Sequence, residues 1–172
     1  MIRGRLPGAL AGIALSIGAL GAQAPAASTP TSSDTVTARK EVLALVAKLF
    51  DGMHTRDTAS IRATLHPAAV LISAGMRQDG TPSIQVDSVD SWLRSIATPR
   101  PELLDERIFN EKVLVDGTLA AVWVDYSFYI GTRLNHCGVD AFQVAKGPAG
   151  WRIIALADTR RRTGCIEVAS RR

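Results

Sequence analysis

Cysteine is scarce in this chain: of 172 residues, only Cys137 and Cys165 carry sulfur that could oxidise to a disulfide. Neither follows the apolar N-terminal run, so the attachment point of a lipid-anchored lipoprotein is missing. Histidine is nearly as rare, and His54, His66 and His136 lie in three separate segments without a ligand-spaced pair, which leaves a metal centre unsupported. No phosphate-cradling glycine loop, nucleophile elbow or nucleotide fingerprint occurs, and no cofactor is expected. Internal repeats and interdomain linkers are absent as well, so the remaining length suits one domain with a proper core.

What the chain does have begins at its start. Arg3 and Arg5 precede an almost unbroken run of Leu, Ala, Ile and Gly from Leu6 to Leu20, the pattern of a secretory signal. The run falls short of the ~20 residues that a membrane-spanning helix needs, which disfavours the alternative of an uncleaved anchor. Small residues allow cleavage after Ala24 or after Ala26, and the second avoids a proline just beyond the cut. The expected divisions are therefore a signal peptide at 1–26, a disordered Ser/Thr/Pro-rich lead-in at 27–36, a domain at 37–165 and a basic tail at 166–172. The mature protein is expected to be exported, periplasmic or secreted, and free of the membrane.

Losing Arg3 and Arg5 lowers the formal charge from +4 to +2, so the basic balance is a weak clue to partners. Arg160, Arg161, Arg162, Arg171 and Arg172 concentrate what remains near the C-terminus. Export argues against nucleic acid as the partner, and a solvated basic tail accounts for the run.

Val42, Val46, Leu49, Phe50 and Met53 recur at helical spacing and predict a long first helix from Thr37 to about Gly52–Arg56. Asp57 or Thr58 can cap a second helix that Pro67 stops, and Ala69–Ala74 reads as a short strand. Gln78–Pro82 has turn composition, and Asp87 or Ser88 can cap a third helix carrying Trp92, Leu93 and Ile96. A four-strand meander follows: Leu103–Val115, an Asp116-Gly117 hairpin signal, Thr118–Ile130, His136–Lys146, then Trp151–Arg160 after a Pro148–Gly150 turn. The order predicts an α+β domain, with helices on one face of a curved antiparallel sheet.

The Leu65-His66-Pro67-Ala68-Ala69-Val70 turn, Ala121-Val122-Trp123 to Phe128, His136-Cys137-Gly138-Val139-Asp140 and Gly150-Trp151-Arg152-Ile153 together resemble the nuclear transport factor 2-like superfamily. The likeness spans about Lys40 to Arg162 and is greatest to the SnoaL-like and lumazine-binding-like branches. It implies a cone-shaped curved antiparallel sheet packed against three N-terminal helices, a pocket inside the cone and often a homodimer. The superfamily includes isomerases, dehydratases, cyclases and binding modules, so the fold alone sets no chemistry. Its ketosteroid isomerase-like enzymes use a tyrosine on the first helix and an aspartate on the first long strand; this chain has Phe50 and no acid in Val70–Ala74. Its scytalone dehydratase-like members use a histidine pair with an aspartate, and no local motif here reproduces that set.

Strand pairing through the loops gathers a polar cluster. Setting Ile130 opposite His136 places Val122, Val124, Tyr126, Phe128, His136, Asp140, Phe142 and Val144 on one face. Setting Val115 opposite Thr118 adds Val113, Phe109 and Arg107, with Arg107 opposite Tyr126. Asp158 and Arg160 join that face if the last loop has five residues and turn away if it has four. The expected site is a mostly apolar pocket in which Tyr126, Arg107, Phe128, Phe142, Val124, Asp158 and Arg160 contact a small organic molecule, with Asp140 and His136 as acid and base if a reaction occurs. The structural alternative is an Arg107–Asp140 ion pair with Tyr126 bonded to it. His66 is expected to serve its turn, and His54 to sit at the pocket mouth or favourably at its helix end.

Three functions are open on these residues: non-catalytic small-molecule binding, which the apolar pocket favours; a cofactor-independent lyase or isomerase; and a protein-interaction module with a filled pocket. A homodimer is expected through the exposed sheet face, which would present Trp123, Tyr129, Val139 and Ala141. Export raises the prospect of a Cys137–Cys165 disulfide, since the two residues flank one end of a hairpin. They are a few residues out of register, and two reduced thiols are the alternative.

Overall fold

The computed structural model describes residues 32–169. The expected signal peptide and the first part of the lead-in lie outside the described residues. The first helix, α1 (Ser32–Thr55), starts earlier than expected and takes in residues 32–36 of the anticipated lead-in. Its buried stripe is Ala38, Val42, Val46, Leu49, Phe50 and Met53, one residue per turn or nearly so. Burying each of the larger aliphatic side chains contributes about 1.5–3 kcal/mol, which outweighs the modest helix propensity of the two valines.

α2 (Thr58–Thr64) is capped by Asp57, whose side chain accepts from Ser60 N at 2.9 Å. It packs tightly on α1 at Gly52, where a Cβ would fall 2.7 Å from Ile61 Cγ1. After β1 (Leu65–Met76) comes a strand that composition disguised as turn and cap, β2 (Pro82–Asp87). Ser88 caps α3 (Val89–Ala97), and the chain continues through β3 (Leu104–Asp116), β4 (Leu119–Ile130), β5 (Arg133–Gly147) and β6 (Gly150–Thr159).

The six strands form one curved, open sheet in the order β2-β1-β6-β5-β4-β3. The meander is antiparallel as expected, but β1 lies parallel to β6, so the sheet is mixed. The helices cover the concave face and close the core over Val122, Val124, Phe142, Val144 and Ile153. Phe50 of α1 meets Phe142 of β5 edge to face, with ring centroids 6.0 Å apart.

Two irregularities decide which side chains enter that concave face. In β3, Phe109 pairs with Asp125 but Lys112 pairs with Trp123, so an extra residue is accommodated around Asn110, whose φ is 56°. Asparagine tolerates this left-handed backbone better than most residues. The bulge reverses the alternation: Val113 stays inward, while Ile108, Glu106 and Leu104 turn inward below it. In β6, Val144 pairs with Ile153 but Gln143 pairs with Ala155, which puts a second bulge at Ile154. The turn itself would send Asp158 to the outer face; the bulge brings it opposite Asp140.

The convex face is partly covered by the chain's own C-terminal segment. Cys137 and Cys165 form a disulfide, with Cα atoms 5.5 Å apart. Arg161 exchanges backbone hydrogen bonds with Cys137 at 2.9 and 3.0 Å, and Val168 N donates to the Tyr129 hydroxyl at 3.0 Å. The segment is thus tied to the sheet at Ile166 and Val168, where Ser127 Oγ and Tyr129 meet its backbone, while most of its side chains stay exposed. Tyr129, expected on an open dimer face, is buried beneath it at 5% exposure, whereas Trp123 stays open at 52%.

Candidate functional site

The site draws side chains from all six strands. Along β4, Val122, Val124 and Tyr126 alternate inward, and Tyr126 reaches the cavity because Gly138 opposite it has no side chain. A Cβ on Gly138 would lie 2.8 Å from Tyr126 Cε1 and 1.8 Å from Thr159 O. That close approach lets the Tyr126 hydroxyl donate to Thr159 O at 2.8 Å. The β4–β5 register is two residues from the expected one, Phe128 rather than Ile130 facing His136; a two-residue shift preserves every inward residue.

The cavity has an enclosed volume of about 70 Å³ and is walled on the helix side by Leu49, Phe50, Met53 and Trp92. Leu71 and Leu156 complete its apolar wall. It lies between two wider grooves of about 280 and 560 Å³, both reached past His136 and Arg160. The opposite wall is more polar than the sequence led one to expect, with Glu106, Asp140 and Asp158 from β3, β5 and β6, and Asp87 from the end of β2.

Asp140 is 2% exposed, and its Oδ2 has no hydrogen-bond partner among the described residues. The Glu106 carboxyl lines the same wall. Burial is the largest cause holding Asp140 well above the usual carboxylate range, and the charge of Glu106 adds to it. Glu106 is itself pushed up to about 7, again chiefly by burial. Two adjoining carboxyls cannot both ionise cheaply, so one proton is shared between them near neutral pH.

Asp158 is satisfied differently. Arg160 Nε donates to its Oδ2 at 2.6 Å and the Ser73 hydroxyl donates to Oδ1. The Arg160 side chain is more than half exposed, so this cation sits at the mouth. His136 packs against Phe128 and Tyr126, with ring centroids 4.8 and 5.6 Å away. Its Nδ1 lies 2.8 Å from Asn135 Oδ1, which ties one ring nitrogen to the neighbouring amide. Burial first, then the nearby Arg160, lowers its pKa to about 4, so the ring is neutral in ordinary buffers. Burial likewise raises Tyr126, followed by the charge of Glu106, and keeps its hydroxyl a donor.

Of the residues expected at the site, Tyr126, His136, Asp140, Asp158 and Arg160 line the cavity, and Phe128 lines the adjoining groove. Val124 and Phe142 are sealed in the core at 0% and 1% exposure and do not reach it. Arg107 is the clear correction. The Asn110 bulge turns it to the convex face, where it pairs with Asp105 at 2.7 Å, stacks 3.7 Å from the Tyr129 ring centroid and donates to Val168 O. The alternative Arg107–Asp140 ion pair falls with it. Ile108 takes the place opposite Tyr126 expected of Arg107, and Glu106 turns inward opposite Phe128; the one sequence signal for the exchange was an asparagine in mid-strand.

His66 accepts from Ala68 N at 3.1 Å, a turn role. His54 lies 3.7 Å from Asp105 and outside the cavity wall. Among the described residues, no three His, Cys, Asp or Glu side chains are arranged to hold a metal ion. No described helix is long and apolar enough to cross a membrane.

Comparison with known proteins agrees with this architecture. Residues 37–157 match the family model described as "Putative lumazine-binding". The chain belongs to that family, within the nuclear transport factor 2-like superfamily. No curated protein matches it. Among solved structures, it is similar to a nuclear transport factor 2-like protein of unknown function from Shewanella baltica at 17% identity, covering 78% of this chain and 99% of that one with a TM-score of 0.57. A nuclear transport factor 2-like protein with a cystatin-like fold from Novosphingobium aromaticivorans gives 10% identity, 78% and 92% coverage and a TM-score of 0.61. A "putative dehydratase" of the same superfamily from Streptomyces avermitilis gives 15% identity, 73% and 97% coverage and 0.56. At such identities the likeness is one of fold.

Proposed function

We propose that this lumazine-binding-family domain binds a small organic molecule in the concave cavity, with Glu106, Asp140, Asp158, Arg160 and Tyr126 orienting its polar end. The observation that carries the reading is Asp140: a buried carboxyl on the cavity wall with one oxygen unpartnered. Leaving such an acceptor unsatisfied costs about 1–3 kcal/mol, which a ligand donor would recover. A cavity of about 70 Å³ has room for a few waters, so a bound molecule either is small or extends into a flanking groove. The test is native mass spectrometry of the exported protein, which should show a noncovalent adduct that Asp140→Leu reduces; wild-type protein free of adduct and indifferent to small-molecule screening would defeat the proposal.

A cofactor-independent lyase or isomerase is the second reading. It is favoured by one observation: Glu106, near 7, is suited to accept and return a proton at neutral pH. Asp140 would supply or store that proton, and neutral His136 would serve only for hydrogen bonding. This changes the roles expected from sequence, where Asp140 and His136 alone formed the acid–base pair. Exchange of solvent deuterium into a bound carbonyl compound, lost in Glu106→Gln, would support it.

A further inference from the structure

The charges at the cavity do not cancel. Asp158 is neutralised by Arg160, and His136 carries no charge in ordinary buffers. Glu106 and Asp140 line the cavity as two acids without an ion-pair partner among the described residues, and Asp87 adds a third at the rim. Arg77, Arg161 and Arg162 line one flanking groove and Arg100 the other. The helices bring only Leu49, Phe50, Met53 and Trp92, and β1 brings no charge. The enclosed space thus faces a negative carboxyl pair on one side and apolar walls on the other, with Asp140 Oδ2 still lacking a donor.

We infer that the cavity selects small organic cations, a primary ammonium group donating to Asp140 Oδ2 and Glu106 while its alkyl part lies against Phe50, Met53 and Trp92. The inference rests on the ligand-binding reading and names the chemical class of its ligand. An ammonium group supplies three donors and a full charge, and it fits a site without the planar room a guanidinium fork requires. An anion in the cavity would meet the carboxyl pair directly, because Arg77, Arg100, Arg161 and Arg162 line the flanking grooves and not the cavity wall. Binding expels the shared proton, because the ammonium is best held by two ionised carboxyls. Affinity for a cation accordingly rises with pH as Glu106 ionises around 7.

The test uses three probes of equal carbon number, n-butylamine, n-butanol and n-butyric acid, titrated into the full protein and followed by protein-observed NMR shifts of cavity residues. At pH 8 the amine should bind about tenfold or more tighter than the alcohol, as charge-assisted hydrogen bonds are worth about 1.5–3 kcal/mol. Its affinity should fall several-fold at pH 6, while that of the alcohol stays constant. Glu106→Gln and Asp140→Asn, both isosteric, should bring the amine down to the level of the alcohol. Equal binding of amine and alcohol to the wild type, or preference for the acid, overturns the cation assignment and leaves the binding reading standing. Failure of all three to shift cavity residues overturns both.

Discussion

Glu106 of β3 and Asp140 of β5 line one cavity, and the charge of the first makes ionising the second more costly. Both carboxyls are held above their usual range, so the site is tied to pH through folding as well as through binding.

The stability consequence has a definite sign. Glu106 titrates near 4.5 when unfolded and about 7 when folded, so the native state binds more protons between those values and stability falls as pH rises through them. His136 acts oppositely: with its pKa lowered from 6.5 to about 4, stability is present above 6.5 and lost as pH falls toward 4. The two effects offset each other between about pH 4.5 and 6.5 in the wild type. Glu106→Gln should therefore be stabilising relative to wild type by on the order of 1–3 kcal/mol at pH 8, an advantage that shrinks toward pH 4.5. Urea denaturation across pH 4.5–8 checks this; a difference that is constant with pH would refute it.

Gly138→Ala should be among the most damaging single substitutions in the sheet. The added carbon would lie 1.8 Å from Thr159 O, an immovable backbone atom, so β6 must shift and take Asp158 and Arg160 with it. A loss of about 3 kcal/mol is expected, at the upper end for overpacking. Denaturant midpoints compared with those of Ala141→Gly, a neighbour on the opposite face, provide the measure.

Arg107→Ala separates the two faces of the sheet. It should remove the stacking on Tyr129 and the bond to Val168 O, costing about 1–2 kcal/mol, and leave small-molecule affinity in the cavity unchanged. A loss of affinity without a loss of stability would put Arg107 back at the pocket.

Reducing the disulfide should release the C-terminal segment. Cys137 and Cys165 are 28 residues apart in sequence, and a loop of that size contributes about 3 kcal/mol. Thermal melts with and without reductant should differ accordingly, and hydrogen exchange should report exposure of backbone near Ser127 and Tyr129. Identical melts would mean that Arg107 and Tyr129 hold the segment unaided.

Much of the fold could be read from the residues because it rests on periodicity and turn chemistry. Val42 to Met53 declared a helix, Asp57 or Thr58 and Asp87 or Ser88 offered caps that Asp57 and Ser88 supply, and Asp116-Gly117 declared a hairpin. β2 escaped notice because the turn residues Gln78 to Pro82 and the cap residues Asp87 and Ser88 flank the short Ser83-Ile84-Gln85-Val86 alternation so closely, and its place depends on pairing with β1. The parallel β1–β6 contact is a tertiary choice that no local signal announces. In the site, Tyr126, His136 and Asp140 were found because a register error of two residues leaves faces intact. Glu106 and Arg107 were exchanged because a bulge is an error of one. Asp158 was left between two loop lengths, and the strand resolved it by using the turn of one and, after Ile154, the register of the other.

The bulge at Asn110 also means that the electrostatic character of this pocket depends on how β3 is paired as well as on residue identity. Asn110 and Glu111 together oppose Val124, so a strand one residue shorter here would keep Phe109 opposite Asp125 and Glu106 facing the cavity. A strand of unchanged length without the bulge, held in the register of Val113 and Val122, would instead set Arg107 opposite Phe128 and make the acidic recess basic. Relatives aligned without a gap in this strand are thus expected to differ in the sign of charge they accept according to whether the extra residue is looped out.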